Sequence, residues 1–480
     1  MMRRNAIVLA IVLLAAGLLH PAASRAGSPY EGYIYNANGS SVHSINGYLY
    51  ERSLSGFGQP EGAYRTPQDL FITQDDALYL ADTGNNRILV LTPEGDVVRS
   101  IGDPEGKGKL NGPKGVFVTG DGLVYVADTG NKRIAVFDAQ GRFQRELAEP
   151  SSPLLGPGFK YAPAKLVVDK RGYIYLQSEG LIDGLMQLDP GGAFKGFFGA
   201  NHVPFSFKRL IVKLIATREQ QEQMQSLRPA EFSNVFQDGE GFLYTTTLGV
   251  QSNQVKRLSA SGVDTLNRGS NRYGDYFTGL LQYQVFVDVA VDGRGFITAL
   301  DAMTGKFYEY DKLGNLLFIS GGLGSQNGLF VSPSSVGYDS RGRIYVVDSG
   351  RNRIDRFYAT PFAGLVHEAS TLYAEGRYEE AAGPWKNVLE MNSNYEMAYT
   401  AIGTALYKAE RYKEAMAYFK LGRNEGQYSE AFREYRKIML REYFDLIVAG
   451  LLTAWLTAKL LPRLRRRRSA RGRQEGERAL

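Results

Sequence analysis

The stretch Asp82-Thr83-Gly84-Asn85-Asn86-Arg87 decides the fold, because it returns twice more in recognisable form. The two further copies are Asp128-Thr129-Gly130-Asn131-Lys132-Arg133 and Asp348-Ser349-Gly350-Arg351-Asn352-Arg353. Each copy joins two short runs of β-branched, aromatic and aliphatic residues through a Gly/Asn cluster, which is typical of a hairpin whose turn needs positive φ. Repetition of such a strand–turn–strand unit predicts a β-propeller or a similar array.

Six copies of the unit can be aligned on the second strand, which we use as an anchor. The anchors are Asp82, Asp128, Ser178, Thr247, Asp301 and Asp348. Most of the intervals between them are close to the length of a propeller blade, and the exception is the long interval between the third and fourth copies. An insertion at 202–230, with helical spacing of apolar residues over 206–227, accounts for that interval. We expect either a helix or flap over a blade edge, or a lid or docking element over one face.

The ring of blades needs one more strand, because the sixth copy ends at Tyr358 before helical sequence begins. Residues 31–57 lie before the first copy and have strand character without a blade of their own. We therefore predict that they complete the last blade and close the ring, which removes exposed sheet edges. The predicted propeller covers 27–360.

The segments 78–88, 122–134 and 342–354 resemble the NHL repeat, which implies a six-bladed propeller and says little about activity. A motif that serves the same turn in several blades is interpreted as structural, whereas a catalytic residue should be singular. We expect each aspartate to accept N–H bonds from the turn and to pair with the motif arginine. The blade-turn motif residues are Asp82, Gly84, Arg87, Asp128, Gly130, Arg133, Asp348, Gly350 and Arg353. Specificity would then lie where the pattern is broken, at 178–184, 248–254 and 206–227.

The period of the apolar residues becomes helical after Pro361. Six positions recur 34 residues later with similar residue types: Ala369, Leu372, Tyr373, Tyr378, Ala381 and Trp385, then Gly403, Leu406, Tyr407, Tyr412, Ala415 and Phe419. This pattern resembles the tetratricopeptide repeat and predicts two repeats and a capping helix over 361–442, with Pro384 in the first turn of its helix. The resemblance implies that Tyr373, Tyr407 and Lys408 lie on a concave face that binds partners. With only two repeats, a spacer between propeller and membrane is the other role.

The two ends of the chain predict its topology. Residues 1–26 have the positively charged start, the apolar core and the small-residue cleavage site of a signal peptide. An uncleaved membrane anchor is the alternative. Residues 443–461 form a run long enough to cross a membrane, and the arginine-rich tail 462–480 would stay cytoplasmic beside anionic lipid. An amphipathic basic helix on a membrane or on nucleic acid is the alternative for this end. We predict a single-pass membrane protein with an extracytoplasmic body.

Composition excludes several kinds of chemistry. The chain has no cysteine, so disulfides, thiolate metal sites and cysteine nucleophiles are excluded. Residues 459–480 hold nine Lys or Arg against two Glu, and Arg3 and Arg4 add two positive charges; together these exceed the net charge of +6. The body is therefore slightly acidic, which argues against nucleic-acid binding. No Walker-type loop or Gly-x-Ser-x-Gly elbow occurs, and the scattered histidines predict no zinc site.

The favoured function is binding or scaffolding in an envelope complex. We expect a protein partner there, and an accessory role beside a transporter is one form of this function. No cofactor is predicted. The alternative is an extracytoplasmic hydrolase or lyase acting on a sugar derivative, and a calcium ion held by carboxylates and Asn in the propeller channel stays open under that alternative. A sugar or other small-molecule ligand is compatible with either function.

Overall fold

The computed structural model describes residues 28–156, 158–199, 230–267, 269, 271–275 and 284–477. The contacts among them divide the chain into two compact units. The first contains Ser41–Gly364 and the residues up to Ile34; the second contains Tyr35–Ser40 and the residues from Leu365 onward. The predicted signal segment and the insertion over 206–227 lie outside the described residues.

Six antiparallel sheets make up most of the first unit, and each follows the previous one along the chain. Their second strands are apolar because both faces are covered. Leu78–Asp82 in the first blade and Val124–Asp128 in the second are buried at every position. A short apolar run bounded by turn residues is what such a strand requires. The predicted six-bladed propeller is confirmed.

The strands are numbered in chain order. Three precede the blades: β1 (Tyr33–Tyr35), β2 (Ser41–His43) and β3 (Tyr48–Leu54). Blade one has β4 (Asp69–Ile72), β5 (Leu78–Asp82), β6 (Arg87–Leu91) and β7 (Val97–Ile101). Blade two has β8 (Gly115–Val118), β9 (Val124–Asp128), β10 (Arg133–Phe137) and β11 (Phe143–Leu147). Blade three has β12 (Pro163–Val168), β13 (Ile174–Ser178), β14 (Leu185–Leu188) and β15 (Phe194–Phe198).

The described part of blade four has three strands, β16 (Phe236–Gln237), β17 (Leu243–Thr246) and β18 (Val255–Leu258). Blade five has β19 (Phe286–Val291), β20 (Ile297–Asp301), β21 (Lys306–Tyr310) and β22 (Leu316–Gly321). Blade six has β23 (Pro333–Tyr338), β24 (Ile344–Asp348) and β25 (Arg353–Ala359), and β3 is its fourth strand.

The ring is closed by β3, which pairs antiparallel with β25 from Ile354↔Leu54 to Ala359↔Tyr48. The sequence therefore predicts the closure correctly for the second half of 31–57. The prediction is wrong for the first half of 31–57, because β1 and β2 pair with each other in a separate two-stranded sheet. The turn between them reverses the chain through the bond from Gly39 N to Asn36 O.

Six helices follow in the described residues: α1 (Pro361–Ala374), α2 (Tyr378–Met391), α3 (Glu396–Lys408), α4 (Tyr412–Leu421), α5 (Glu425–Glu442) and α6 (Phe444–Glu477). The 34-residue repeat is visible in their turns. Gly376 has φ of 79° after α1 and Glu410 has φ of 58° after α3, at equivalent positions. The motif rings also pair in the same way, since Tyr373–Tyr378 and Tyr407–Tyr412 are both edge-to-face. The helical region is thus compatible with the resemblance to tetratricopeptide repeats.

Pro384 is not in the first turn of its helix, contrary to the prediction. The helix α2 begins at Tyr378, so Pro384 is its seventh residue and removes one backbone bond from the helix interior. The reason is that the turn after α1 is tight: Arg377 N already bonds to Leu372 O. The helix therefore starts earlier than the proline alone suggests.

Candidate functional site

The aspartate of the blade-turn motif is a buried acceptor in blade one. The side chain of Asp82 has no exposure. It accepts from Arg65 N at 2.7 Å, from Asn85 Nδ2 at 2.8 Å and from Arg87 Nε at 2.8 Å. Arg65 lies in the segment that leads into β4, so the carboxylate fixes that segment and not only its own turn.

The same geometry recurs in blade two and changes in blade six. Asp128 accepts from Asn111 N and pairs with Arg133 Nε, each at 2.8 Å. Asp348 instead accepts from the backbone N–H groups of Val331 and Ser332, both at 2.9 Å. Arg353 pairs with Asp355 at 2.7 Å, because that carboxylate is two residues away on the same strand. The predicted aspartate–arginine pair is therefore present in blades one and two and replaced in blade six.

The residue with positive φ in the turn is not the motif glycine. Asn86 has φ of 56° and its Oδ1 accepts from Gly112 N at 2.7 Å, at the start of the next blade. Asn352 does the same with Thr66 N at 2.6 Å, across the closure of the ring. The motif glycine is needed for space, since a Cβ on Gly84 would lie 2.6 Å from Thr66 Oγ1. The motif thus links blade one to blade two and blade six to blade one.

A second set of residues, which we call the channel ring and which is polar except for Gly115, was not anticipated from sequence. It has one member on the innermost strand of each blade, or just before that strand. The register places the five members that lie on a strand opposite the residue before the anchor, as in Asp69↔Ala81 and Asp288↔Leu300. Each member lies thirteen residues before its anchor. The six are Asp69, Gly115, Lys165, Asn234, Asp288 and Ser335.

Lys165 joins the two acidic members of the channel ring. Its Nζ contacts Asp69 Oδ1 and lies 3.9 Å from Asp288 Oδ2. Ser335 Oγ donates to Asp69 Oδ1 at 3.2 Å, and Asn234 Nδ2 donates to Asp288 Oδ1. Backbone N–H groups of neighbouring strands complete both carboxylates: Val116 N to Asp69 Oδ2, and Val289 N and Val336 N to Asp288.

The channel ring has more acidic groups than basic ones, because two carboxyl groups share one ammonium. Burial raises the pKa of Asp288, and the nearby Asp69 raises it further against the opposing effect of Lys165. Burial alone would lower the pKa of Lys165, but the two carboxylates outweigh it and the pKa is raised. Lys165 therefore stays charged and holds the ring together.

The channel beside this ring is narrow. The cavity there measures about 130 Å³, and its lining includes a layer of apolar side chains and four members of the ring, namely Asp69, Lys165, Asn234 and Asp288. Phe71 and Phe117 belong to that layer and pack against each other, with ring centroids 4.9 Å apart. Pockets that bind small molecules are typically about 300–1,000 Å³. The space suits a few waters and not a sugar derivative.

The channel ring does not fit the calcium ion left open by the sequence. Its oxygens are of the right kind, because carboxylate, amide and hydroxyl oxygens are calcium ligands. The ammonium of Lys165, however, lies where a cation would have to bind the two carboxylates. Among the described residues, no group of three or more His, Cys, Asp or Glu could hold a metal ion.

The channel ring has a sequence signal that is easy to overlook. A polar residue on an apolar strand looks like an isolated exception when each blade is read alone. Counting back thirteen residues from every anchor reveals all six members at once. The aligned repeat, rather than any motif, is what identifies them.

The three residues proposed for partner binding lie in the helical unit and contribute mainly to packing. Tyr373 and Tyr407 are half-buried, and each ring packs edge-to-face on the tyrosine that begins the next helix. Lys408 is exposed, with its Nζ 6.0 Å from the centroid of the Tyr378 ring. Of the three, Lys408 offers the most free surface.

The fold of the first unit can now be compared with known proteins. The family model for the NHL repeat matches residues 110–137, which contain β8, β9 and β10. Blade two is similar to an NHL repeat over these three strands. A search of the curated proteins finds no match to the chain.

Solved structures are similar to this chain only at low identity. A catalytically inactive virginiamycin B lyase from Staphylococcus aureus, with quinupristin, is 12% identical, with 65% of this chain and 88% of that chain covered and a TM-score of 0.41. A gluconolactonase from Xanthomonas campestris is 13% identical, with 69% and 95% covered and a TM-score of 0.41. A Bacteroides thetaiotaomicron protein of unknown function is 12% identical, with 67% and 80% covered and a TM-score of 0.44. Similarity at this level carries no argument about activity.

Proposed function

We propose that the chain is a membrane-anchored extracytoplasmic binding or scaffold protein that belongs to an envelope complex and contacts a protein partner through one face of its propeller. The observation that carries the proposal is the closed channel. The ammonium of Lys165 lies between the two acidic members of the channel ring, and the cavity beside it is too small for a sugar derivative. The function is therefore expected on the surface of the propeller and not in its channel, which disfavours the alternative of a lactone hydrolase or lyase.

The surface we propose is the turn face, defined as the face that carries the blade-turn motifs and the connections between blades. Strand 1 of each blade starts there and strand 4 ends there, as the antiparallel registers of blade one require. Apolar side chains are exposed on it, including Phe57 at 88%, Leu323 at 57% and Met303 at 56%. Exposed aromatic and methionine side chains are enriched at the centres of protein interfaces.

The turn face also has a groove between blades one and two. It measures about 620 Å³ and is lined by Asn86, Gly106, Lys109, Leu110, Asn111, Asn131, Arg133 and Glu146. Arg133 is already bonded to Asp128 and to Glu146. The groove therefore offers amides, one lysine and a satisfied ion pair. Such a mixture suits the polar rim of a protein interface better than a catalytic centre.

Anchoring is supported by α6. Its segment Phe444–Arg463 has 20 residues and a mean hydropathy of 1.6, and none of its apolar part is buried within the chain. At 1.5 Å per residue it spans about 30 Å, the thickness of a hydrocarbon core. Lys459 packs its Nζ 4.4 Å from the centroid of the Trp455 ring, a pair suited to the membrane interface. The arginines that follow would favour the cytoplasmic side and anionic lipid.

The test is lysine crosslinking in intact membranes, followed by mass spectrometry. Lys107, Lys109 and Lys132 are exposed on the turn face, and Lys170 is exposed on the opposite face, in the turn between β12 and β13. We expect one reproducible protein partner, joined mainly through the first three lysines. Alkaline extraction should leave the chain in the membrane.

Two results would contradict the proposal. One is the recovery of no reproducible partner at any of these lysines. The other is turnover of sugar lactones by the purified chain, because the closed channel predicts none.

A further inference from the structure

The helix α5 is longer than the helix on which it packs. It has 18 residues, whereas α4 has 10. The last buried residue of α5 is Ala431, which lies in a small apolar cluster with Ala415 and Phe419 of α4. Residues 436–443, which we call the overhang, are exposed at every position except the half-buried Met439. The overhang therefore extends beyond the packed part of the helical unit.

The overhang has apolar side chains on opposite sides of its helix. Ile438 is 46% exposed and Leu440 is 52% exposed. Two residues apart on an α-helix, they point about 200° away from each other. A partner helix or a second copy of the chain would cover one stripe of such a helix and leave the other in water. An apolar medium that surrounds the helix covers both side chains.

The overhang leads directly into the segment that can span a membrane. Tyr443 is the single residue between α5 and α6, and its N–H keeps the helical pattern by donating to Met439 O at 3.0 Å. At a rise of about 1.5 Å per residue, Leu440 lies about 6 Å and Ile438 about 9 Å before Phe444, where the apolar segment begins. The headgroup region on each side of a bilayer is about 5–8 Å thick. Leu440 thus falls within that region and Ile438 at its outer edge.

The charges of the overhang suit the same region. It carries Arg436, Lys437 and Arg441 against one acid, Glu442. The ammonium of Lys437 is 2.9 Å from the carboxylate of Glu434, whereas both guanidinium groups are exposed. Guanidinium groups bind phosphate through two parallel N–H bonds. The overhang therefore combines apolar side chains with donors for lipid phosphate.

We propose that the overhang is a lipid-binding segment that stands in the phospholipid headgroup layer, with Ile438 and Leu440 against lipid and the guanidinium groups of Arg436 and Arg441 on lipid phosphate. This inference rests on the membrane anchoring proposed above and adds the residues that contact the lipid. Because α5 is part of the helical unit, lipid contact holds the end of that unit at the bilayer surface without a flexible linker.

The first experiment measures depth in the bilayer. The full-length chain has no cysteine, so a single spin label can be attached through Ile438→Cys or Leu440→Cys in nanodiscs of equal parts phosphatidylcholine and phosphatidylglycerol. Phe432→Cys is the matched control, because Phe432 is 45% exposed on the same helix but lies about 18 Å before the span. Leu452→Cys marks the span itself. All four side chains are exposed, so folding should be unaffected.

Collisions of each label with a water-soluble nickel chelate and with oxygen report its depth. We expect severalfold fewer nickel collisions at 438 and 440 than at 432, and the fewest at 452. Labels at 438 and 440 that match 432, with 452 in lipid, would overturn the inference and leave the anchoring intact. A label at 452 in water would overturn both. Dipolar broadening between two labels at 438 or 440 would assign the overhang to a second copy and overturn the lipid contact.

The second experiment tests the phosphate contact by solid-state NMR, as the dephasing of arginine side-chain ¹⁵N by lipid ³¹P in the full-length chain. Arg436→Gln/Arg441→Gln should reduce the dephasing, because two contacts are lost while those of the basic tail remain. Arg433→Gln is the matched control, because Arg433 lies outside the overhang and 3.3 Å from the carboxylate of Glu434. It should leave the dephasing unchanged. Equal dephasing in the wild type and the double variant would overturn the phosphate contact.

Discussion

Replacing Asp82 by alanine tests whether the blade-turn motif is structural. The side chain of Asp82 is fully buried and accepts three bonds, one of them from the guanidinium of Arg87, which is itself 15% exposed. Removal of one member of a buried ion pair costs about 3–5 kcal/mol. The guanidinium keeps its bond to Glu61 O at 2.7 Å, which favours the middle of that range.

The expected loss can be converted to a melting temperature. With an unfolding entropy of about 2.1 cal/mol/K per residue over roughly 300 residues, about 4 kcal/mol corresponds to a decrease of about 6 °C. The assay is thermal unfolding of the full-length chain in detergent, followed by circular dichroism in the β region.

A matched variant is available in blade six. Asp348→Ala leaves the N–H groups of Val331 and Ser332 without their acceptor and keeps the Arg353–Asp355 pair intact. We therefore expect a smaller loss of stability, about 2–3 kcal/mol. The double variant Asp82→Ala/Arg87→Ala should recover part of the stability lost by Asp82→Ala. The reasoning would be refuted if Asp82→Ala melted within 1 °C of the wild type while association with a partner was lost.

Three further predictions concern closure, pH and the helical unit. Tyr48→Phe removes the buried bond to Glu309 Oε1 at 2.7 Å and should cost about 1–3 kcal/mol, measured by thermal unfolding. Burial raises the pKa of Asp301, so its contribution to stability is present below the unfolded pKa and is lost as pH rises through the folded pKa. Asp301→Asn should therefore gain stability relative to the wild type as pH is raised from about 4, and a difference that is flat or falls with pH would contradict this. Gly403→Val places a Cβ 2.7 Å from the Phe419 ring and should reduce helical content on heating, whereas the open Gly364 should tolerate alanine.

The architecture was predictable because the repeat is regular and each copy is locally consistent. Apolar strands, turn residues and the 46-residue interval from Asp82 to Asp128 all indicate the same blade. The closing strand followed from counting, since blade six ends one strand early at Tyr358. The part of 31–57 that forms its own hairpin was missed, because strand character alone does not say which edge a strand will join.

Individual contacts were harder to predict than elements. Arg353 was expected to pair with Asp348, but Asp355 competes for it from two residues away. The role of Asn86 as a link between blades depends on a contact with Gly112 that only the assembled ring provides. Lys165 was missed for the same reason: its partners are 96 and 123 positions distant in sequence and meet only at the channel.

The central claim is that the turn face of the propeller binds a protein partner while the channel is closed. It is tested most directly by quantifying the copurified partner from membranes that contain the wild type, Phe57→Arg/Met303→Arg on the turn face, or Leu313→Arg on the opposite face. All three sites are exposed, so folding should be unaffected. We expect the turn-face variant to lose most of the partner and Leu313→Arg to retain it. Equal recovery from all three chains would show that the turn face does not bind the partner.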